Sequence, residues 1–353
     1  MKESSEFFLR DYINSMSPSG YEKESAKLWK REAKKFAEEV HGDFHGNSFA
    51  VVGKGGKTRV MLAGHTDEIG LLISKITEEG YLFFNMIGGW DNQVLPGQRV
   101  RIKGDEREIF GVIGRKPVHL LGEQEKKNVV KVEDLWIDIG AKNKEQAESL
   151  ISIGSPGVLD YNLKKLQGDL LTSRNLDNKV GGFIVLEAAK ELSNINCGSE
   201  VTAVATVQEE IGVRGATTSA FRIDPHIAIA VDVWFATDTP FMEKSEREKG
   251  SVELGKGPII SRGPNTNPRL FDRMIRTAER NEIPHQVIAY PEAGSDANAI
   301  QLAKGGVATG IIFLPNRYMH SPSEVVSEKD MRNSIELIVE TVKGIEEESF
   351  ELF

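Results

Sequence analysis

The sequence predicts an α/β protein in which a mixed-sheet domain, with helices on both faces, is interrupted by an inserted all-β, barrel-like domain. Three observations carry this expectation. From Asp169 onward, apolar runs of strand character alternate with helical patterns, as at 201–207 and 227–231. Between about Glu68 and Lys165 the texture changes to short strands separated by Gly and Pro turns. Several apolar runs also end on acidic or imidazole side chains, at the strand ends where open α/β sheets bind ligands. The expected division is 1–67 with 166–353 as the α/β domain and 68–165 as the insertion.

In chain order, Phe7, Phe8, Leu9, Tyr12 and Ile13 form the apolar stripe of a first helix, broken at Ser17-Pro18-Ser19-Gly20. A second helix is expected from about Tyr21 to Val40. Strands at 48–52 and 58–63 read as a hairpin joined by Gly53-Lys54-Gly55-Gly56-Lys57, which has no following helix and so is no phosphate loop. The insertion carries strands at 71–76, 81–87, 98–102, 109–113 and 135–139, with one helix at 144–151. Afterwards come a strand at 170–173, a helix to about Leu192, and the strands 201–207 and 227–231. A polar, loop-rich stretch fills 237–257. A helix at 271–281, a strand at 286–290, a helix up to Ala303, a strand at 306–314 and a helix at 328–347 complete the chain.

The 44 basic against 53 acidic residues give a net charge of -9, and no basic run of nucleic-acid-binding density is present. Cys197 is the single cysteine, which excludes an intrachain disulfide and cysteine-rich zinc sites and suits a reducing interior. The first residues form no apolar signal core and no run approaches membrane-spanning length, so a cytoplasmic protein without membrane partners is expected.

The chemistry concentrates around Ala203 to Ala216. This apolar strand ends in Glu209-Glu210 and then a turn punctuated by Gly212 and Gly215. Carboxylates at the end of a core strand are costly to desolvate unless something positive meets them. In Gly64-His65-Thr66-Asp67, an imidazole after a strand has a carboxylate placed to fix its tautomer. Asp177, Asp232 and His320 follow further strand runs. Each signal alone has a plain reading: a polar strand end, a helix cap, a solvated Glu pair. Together, two imidazoles and three carboxylates suit a pair of zinc-like divalent ions. One carboxylate must bridge if the ions sit roughly 3.5–4 Å apart.

Gly64-His65-Thr66-Asp67-Glu68-Ile69-Gly70, Leu176-Asp177-Asn178-Lys179, Val207 through Ala216, and Tyr318-Met319-His320-Ser321 together resemble the tetrahedral (TET) aminopeptidases, over essentially the whole chain. These are cytosolic dinuclear metallo-aminopeptidases of the deblocking or glutamyl type. The resemblance implies that His65 and Asp232 bind one metal, zinc or cobalt, and Glu210 and His320 the other, with Asp177 bridging. It implies that Glu209 is the general acid/base and that Asp67 orients His65. It further implies short peptides as substrates, a dimerisation role for the insertion, and dimers assembled into a tetrahedral dodecamer. Gly64, Thr66, Asn178 and Ala293-Gly294-Ser295-Asp296 depart from residues frequent among relatives, and none of these changes removes a ligand or the base.

Two alternatives accompany this reading. A related dimetal carboxypeptidase or N-deacylase would need a cation for a substrate carboxylate, such as Arg262 or Arg317. A non-catalytic shell protein would be expected to have lost the Glu209-Glu210 pair. His41, His45, His226 and His285 read as surface or packing residues, and His119 as a surface or assembly residue. Asp296 reads as a helix N-cap near the cleft, and Trp234 as a cleft-lining or packing side chain.

Overall fold

A computed structural model describes residues 3–352 except 196, 243–249 and 292–293. The middle of the polar stretch 237–257, and Ala293 in the turn before Asp296, therefore lie outside the described residues.

The main sheet has eight strands. In chain order these are β1 (Glu39–Gly42), β2 (Ser48–Val52), β3 (Thr58–His65), β12 (Ser199–Thr206), β13 (Ile227–Phe235), β14 (Ile259–Arg262), β15 (Gln286–Ala289) and β16 (Ala308–Asn316). Their spatial order is β1-β2-β12-β3-β13-β16-β14-β15. β12, β3, β13 and β16 run parallel at its centre, while β2 and β14 pair antiparallel at the flanks. Alternation along the strands explains the two covered faces. Val60 and Leu62 of β3 join a core with Phe8, Tyr12, Trp29 and Phe183, whereas Met61 and Ala63 join a second one with Ala216, Ala220 and Ile300. The helix Leu176–Leu192 is buried nearly all round, as expected of one lying between the sheet and an outer helical layer.

Several expectations are corrected. The second helix is Lys23–Ala33, so Val40 falls in β1. β2 and β3 do not form a hairpin, because β12 lies between them and pairs with both. The glycine-rich turn instead passes over the start of β12. A Cβ at Gly53, whose φ is +66°, would come within 2.5 Å of the Ser199 carbonyl oxygen, and one at Gly56 within 2.3 Å of Ser199 backbone. Those glycines serve close backbone approach. The final helix stops at Val342, and β1, β14 and three other short strands had no counterpart in the sequence reading.

The insertion is a closed six-stranded barrel, ordered β4-β5-β8-β7-β6-β9. Its strands are β4 (Gly70–Ile76), β5 (Leu82–Ile87), β6 (Arg99–Lys103), β7 (Glu108–Gly114), β8 (Trp136–Asp138) and the unforeseen β9 (Pro156–Leu159), which closes it. Leu71, Ile73, Phe84, Val100, Ile102 and Ile137 fill its interior. A separate three-stranded sheet joins β10 (Lys164–Lys165), β11 (Leu170–Ser173) and β17 (Glu324–Ser327) in that order. No helix among the described residues is long and apolar enough to cross a membrane.

Candidate active site

His65 ends β3, directly opposite Thr206 at the end of β12, so the chain leaving β12 brings Glu209 and Glu210 beside the imidazole. Asp232 lies within the neighbouring β13, and β16 leads on to His320. These residues share the carboxyl end of the parallel strands. Asp177 departs from the expected common sheet. It follows β11 of the small sheet and lies in the first turn of the helix Leu176–Leu192. That helix can reach the site because Gly181 packs against Gly64 of β3, where a Cβ on Gly64 would lie 2.5 Å from the Gly181 carbonyl carbon.

The structure gathers all seven expected residues. His65 Nε2 is 3.3 Å from Asp177 Oδ1, 3.7 Å from Asp232 Oδ1 and 3.8 Å from Glu209 Oε2. His320 Nε2 is 3.3 Å from Asp177 Oδ2 and 3.5 Å from Glu210 Oε2. Asp177 thus stands between the two imidazoles with one oxygen toward each. Asp67 lies behind His65, its Oδ1 3.4 Å from Nδ1. The same carboxylate accepts the backbone N–H groups of Glu209 at 3.0 Å and Glu210 at 3.2 Å, and the Ser19 hydroxyl at 2.7 Å.

Burial and charge bend the titration of these groups. Burial would depress His65, but contacts with Asp177, Asp232 and Asp67 hold it well above the ordinary imidazole range. Burial would raise Asp177, yet His320 and His65 keep it below the usual carboxylate range. Glu209 is pushed up to about 9 by burial, with Asp232, Asp296 and Asp67 adding repulsion. Burial followed by the Asp177 charge lifts Glu210 well above normal, and burial lifts Asp232. Such crowding is costly unless cations join the cluster. The donors fit that role: one nitrogen or oxygen each from His65, Asp177 and Glu210 lie within 4.8 Å of one another. Glu210 Oε1 is buried with no hydrogen-bond partner among the described residues. Imidazole and carboxylate donors without thiolates suit a borderline divalent ion.

Other parts of the site were not foreseen. Glu22 accepts the Gln208 N–H at 3.2 Å, and Asn47 Oδ1 accepts that of Val207 at 3.1 Å. With Asp67, they grip the successive backbone amides through which the Glu209 turn runs, including Gln208 at φ +57°. Glu22 is raised to about 7, by burial first and the Asp67 charge second. Glu324 holds the backbones of Asp177 and His320. Glu22 and Asn47 carry no local motif. Glu324, four residues after His320, was the one within reach of a sequence reading.

Asp296 corrects its expected role. Its side chain makes no cap bond; it turns inward and accepts the Thr206 hydroxyl at 2.5 Å, with Oδ1 buried and without a partner among the described residues. Trp234 packs among Phe235, Tyr290 and Phe313. Of the two arginines of the carboxypeptidase alternative, Arg317 is already paired. Asp238 accepts from Arg317 Nε at 2.7 Å and Nη2 at 2.5 Å, and the Arg262 guanidinium lies 5.2 Å from the Phe271 ring centroid. His226 Nδ1 accepts the Arg59 N–H, and His285 faces the Ile283 carbonyl. A cleft of about 930 Å³ lies at the opposite end of the parallel strands, along Arg59, Asp224 and Ala308, and contains none of the site residues.

A profile of the M42 glutamyl aminopeptidase family matches residues 46–337. The chain belongs to that family. It is accordingly an aminopeptidase, a hydrolase of the exopeptidase class. The lysyl aminopeptidase of Pyrococcus furiosus is 37% identical over 335 residues, 93% of this chain and 94% of the relative. A TET aminopeptidase from a marine-sediment Thaumarchaeota archaeon superposes with a TM-score of 0.92 at 34% identity, covering 97% of this chain and 96% of that one. The TET1 peptidase of Pyrococcus horikoshii, described as able to assemble into a tetrahedron or a large octahedral shell, gives 0.84 at 32% identity, covering 95% and 98%. This M42 chain shares with them the mixed α/β sheet and the inserted barrel.

Proposed function

We propose that this M42 protein removes N-terminal residues from short peptides with two divalent metal ions, zinc or cobalt. The observation that carries the reading is the place of Asp177, with one carboxylate oxygen facing each imidazole. His65 and Asp232 would hold one ion and Glu210 and His320 the other, with Asp177 available to both. When bound, such a pair acidifies water toward neutrality and polarises the scissile carbonyl. The chain's own part in the chemistry falls to Glu209, whose carboxylate takes the proton from the attacking water and returns it to the leaving amine. Its metal-free pKa near 9 is set by burial, and neighbouring divalent charge favours the ionised form the base needs. Asp67 fixes the His65 tautomer and holds the Glu209-Glu210 backbone in register with it.

The names of relatives do not set the preferred N-terminal residue: the family is described as glutamyl, while the 37% identical relative is a lysyl enzyme. The deciding experiment uses metal-stripped protein, zinc or cobalt add-back, and a panel of aminoacyl-anilides with matched N-acetylated peptides. Metal-restored release of free N-terminal residues, with blocked substrates untouched, is expected. Cleavage of the acylated substrates alone would overturn the aminopeptidase mechanism in favour of deacylation.

We further propose that the barrel, within the insertion 68–165, is the dimerisation unit, that dimers build a tetrahedral dodecamer, and that the enzyme works in the cytoplasm. The β7 strand turns Ile109 and Ile113 into the barrel and leaves Phe110 and Val112 exposed, with Val118, Leu120 and Val129 also uncovered. Apolar side chains in such number on a small domain suit a buried contact with another copy. Replacing Phe110 and Val112 together with Asp is expected to lower the mass seen by native mass spectrometry. An unchanged mass would place the subunit contact elsewhere.

A further inference from the structure

Glu324 has no place in the chemistry above, yet it lies where the two halves of the proposed metal centre meet. It opens β17, directly opposite Ser173 of β11, the strand that leads to Asp177. The next residue, Val325, bridges to Arg317, on the segment that leads to His320, with reciprocal backbone hydrogen bonds of 2.9 and 3.0 Å. Glu324 Oε2 accepts the Asp177 N–H at 2.7 Å, and Oε1 accepts the His320 N–H at 2.9 Å. The residue is 1% exposed and forms no ion pair among the described residues, so burial and the Asp177 charge work against its ionisation.

We infer that Glu324 is a positioning residue, a two-oxygen clamp that sets Asp177 and His320 at the spacing the second metal ion requires. The inference rests on the metal roles proposed above. His320 needs such a clamp more than most ligands, because it sits at φ +58° and Tyr318 at φ +61°, left-handed conformations that non-glycine residues hold only when their surroundings impose them. A carboxylate offers acceptors on both oxygens. An amide of the same shape offers one acceptor and one NH₂ group, which would face one of the two N–H groups donor to donor.

Glu324→Gln therefore separates clamping from space filling. Metal-stripped wild type and variant are titrated with zinc against a chromogenic chelator, and the thermal midpoints of both metal-free proteins are recorded alongside. The expected result is a ten- to hundredfold loss of zinc affinity for one of the two sites. In a His320→Ala background the same substitution is expected to cost less, because part of its effect passes through His320. Unchanged zinc affinity, with or without a lowered metal-free midpoint, overturns the inference and leaves Glu324 a structural residue. If Glu324→Gln does not fold, Glu324→Asp withdraws both oxygens by one methylene, and unchanged zinc affinity there overturns the inference equally. A wild type that binds no zinc would instead reject the proposed metal centre, a different outcome from the failure of the clamp.

Discussion

Glu209→Gln is expected to lower kcat by about two to four orders of magnitude, the usual range for a positioned general acid/base, with zinc content and KM close to wild type. The substitution keeps the shape of the side chain and removes its ability to carry a proton. The backbone beneath it stays in place, because Asp67 and Glu22 hold the amides of Glu209, Glu210 and Gln208 independently of the Glu209 side chain. Metal content by atomic absorption and steady-state kinetics on an aminoacyl-anilide decide the matter. Near-normal kcat removes Glu209 from the base role. Loss of zinc would make it a ligand, a role its 3.8 Å distance from His65 Nε2 also allows.

The largest stability effect is expected from Glu68→Ala. Glu68 is 1% exposed, 2.9 Å from Arg174 Nε and 3.7 Å from Lys179 Nζ, both themselves buried. It also accepts the Ser17 N–H at 2.9 Å, tying the N-terminal segment to the loop after β3. Truncation leaves the buried Arg174 guanidinium without this counter-charge, and Lys179, which burial already lowers to about 7, loses the partner that favours its charged form; breaking a buried pair in this way costs about 3–5 kcal/mol in comparable cases. Urea unfolding at fixed subunit concentration, pH 7, would measure it. A change within about 0.5 kcal/mol, the range of ordinary surface substitutions, would show that Glu68 is dispensable. The pH dependence has a definite sign. Burial would raise Glu68, but Arg174 and Lys179 hold it below the usual carboxylate range. Its contribution is therefore fully present above an unfolded pKa of about 4.3 and is lost as pH falls through the lower folded value.

The same region marks how far a sequence can be read. His65, Asp67, Asp177, Glu209, Glu210, Asp232 and His320 could all be picked out as candidates because each polar side chain stands at or near the end of an apolar run, and the folded chain brings them together. The barrel was legible as a change in strand length and turn frequency, although β9 was missed. Its Pro156-Gly157-Val158-Leu159 is too short and too rich in Pro and Gly to stand out. The supposed hairpin at Gly53 failed for the opposite reason. Two strands joined by a glycine turn do suggest adjacency, and nothing local announces that β12, nearly 150 residues later, slides between them.

From local pattern and residue type alone, this sequence determines an α/β chain with a β insertion and a set of imidazole and carboxylate donors placed at strand exits. Tertiary structure alone decided which backbone amides those donors depend on. Glu22 and Asn47 act on the turn after β12, far from them in sequence, and Glu324, besides its near neighbour His320, reaches the distant Asp177. It also decided that Asp177 arrives from the small sheet, that Asp296 turns inward, and that Arg317 is already taken by Asp238. The physical reason is range. Apolar periodicity is written over neighbouring residues, whereas the partner of a buried N–H or charge is chosen by whichever distant segment the folded sheet sets beside it.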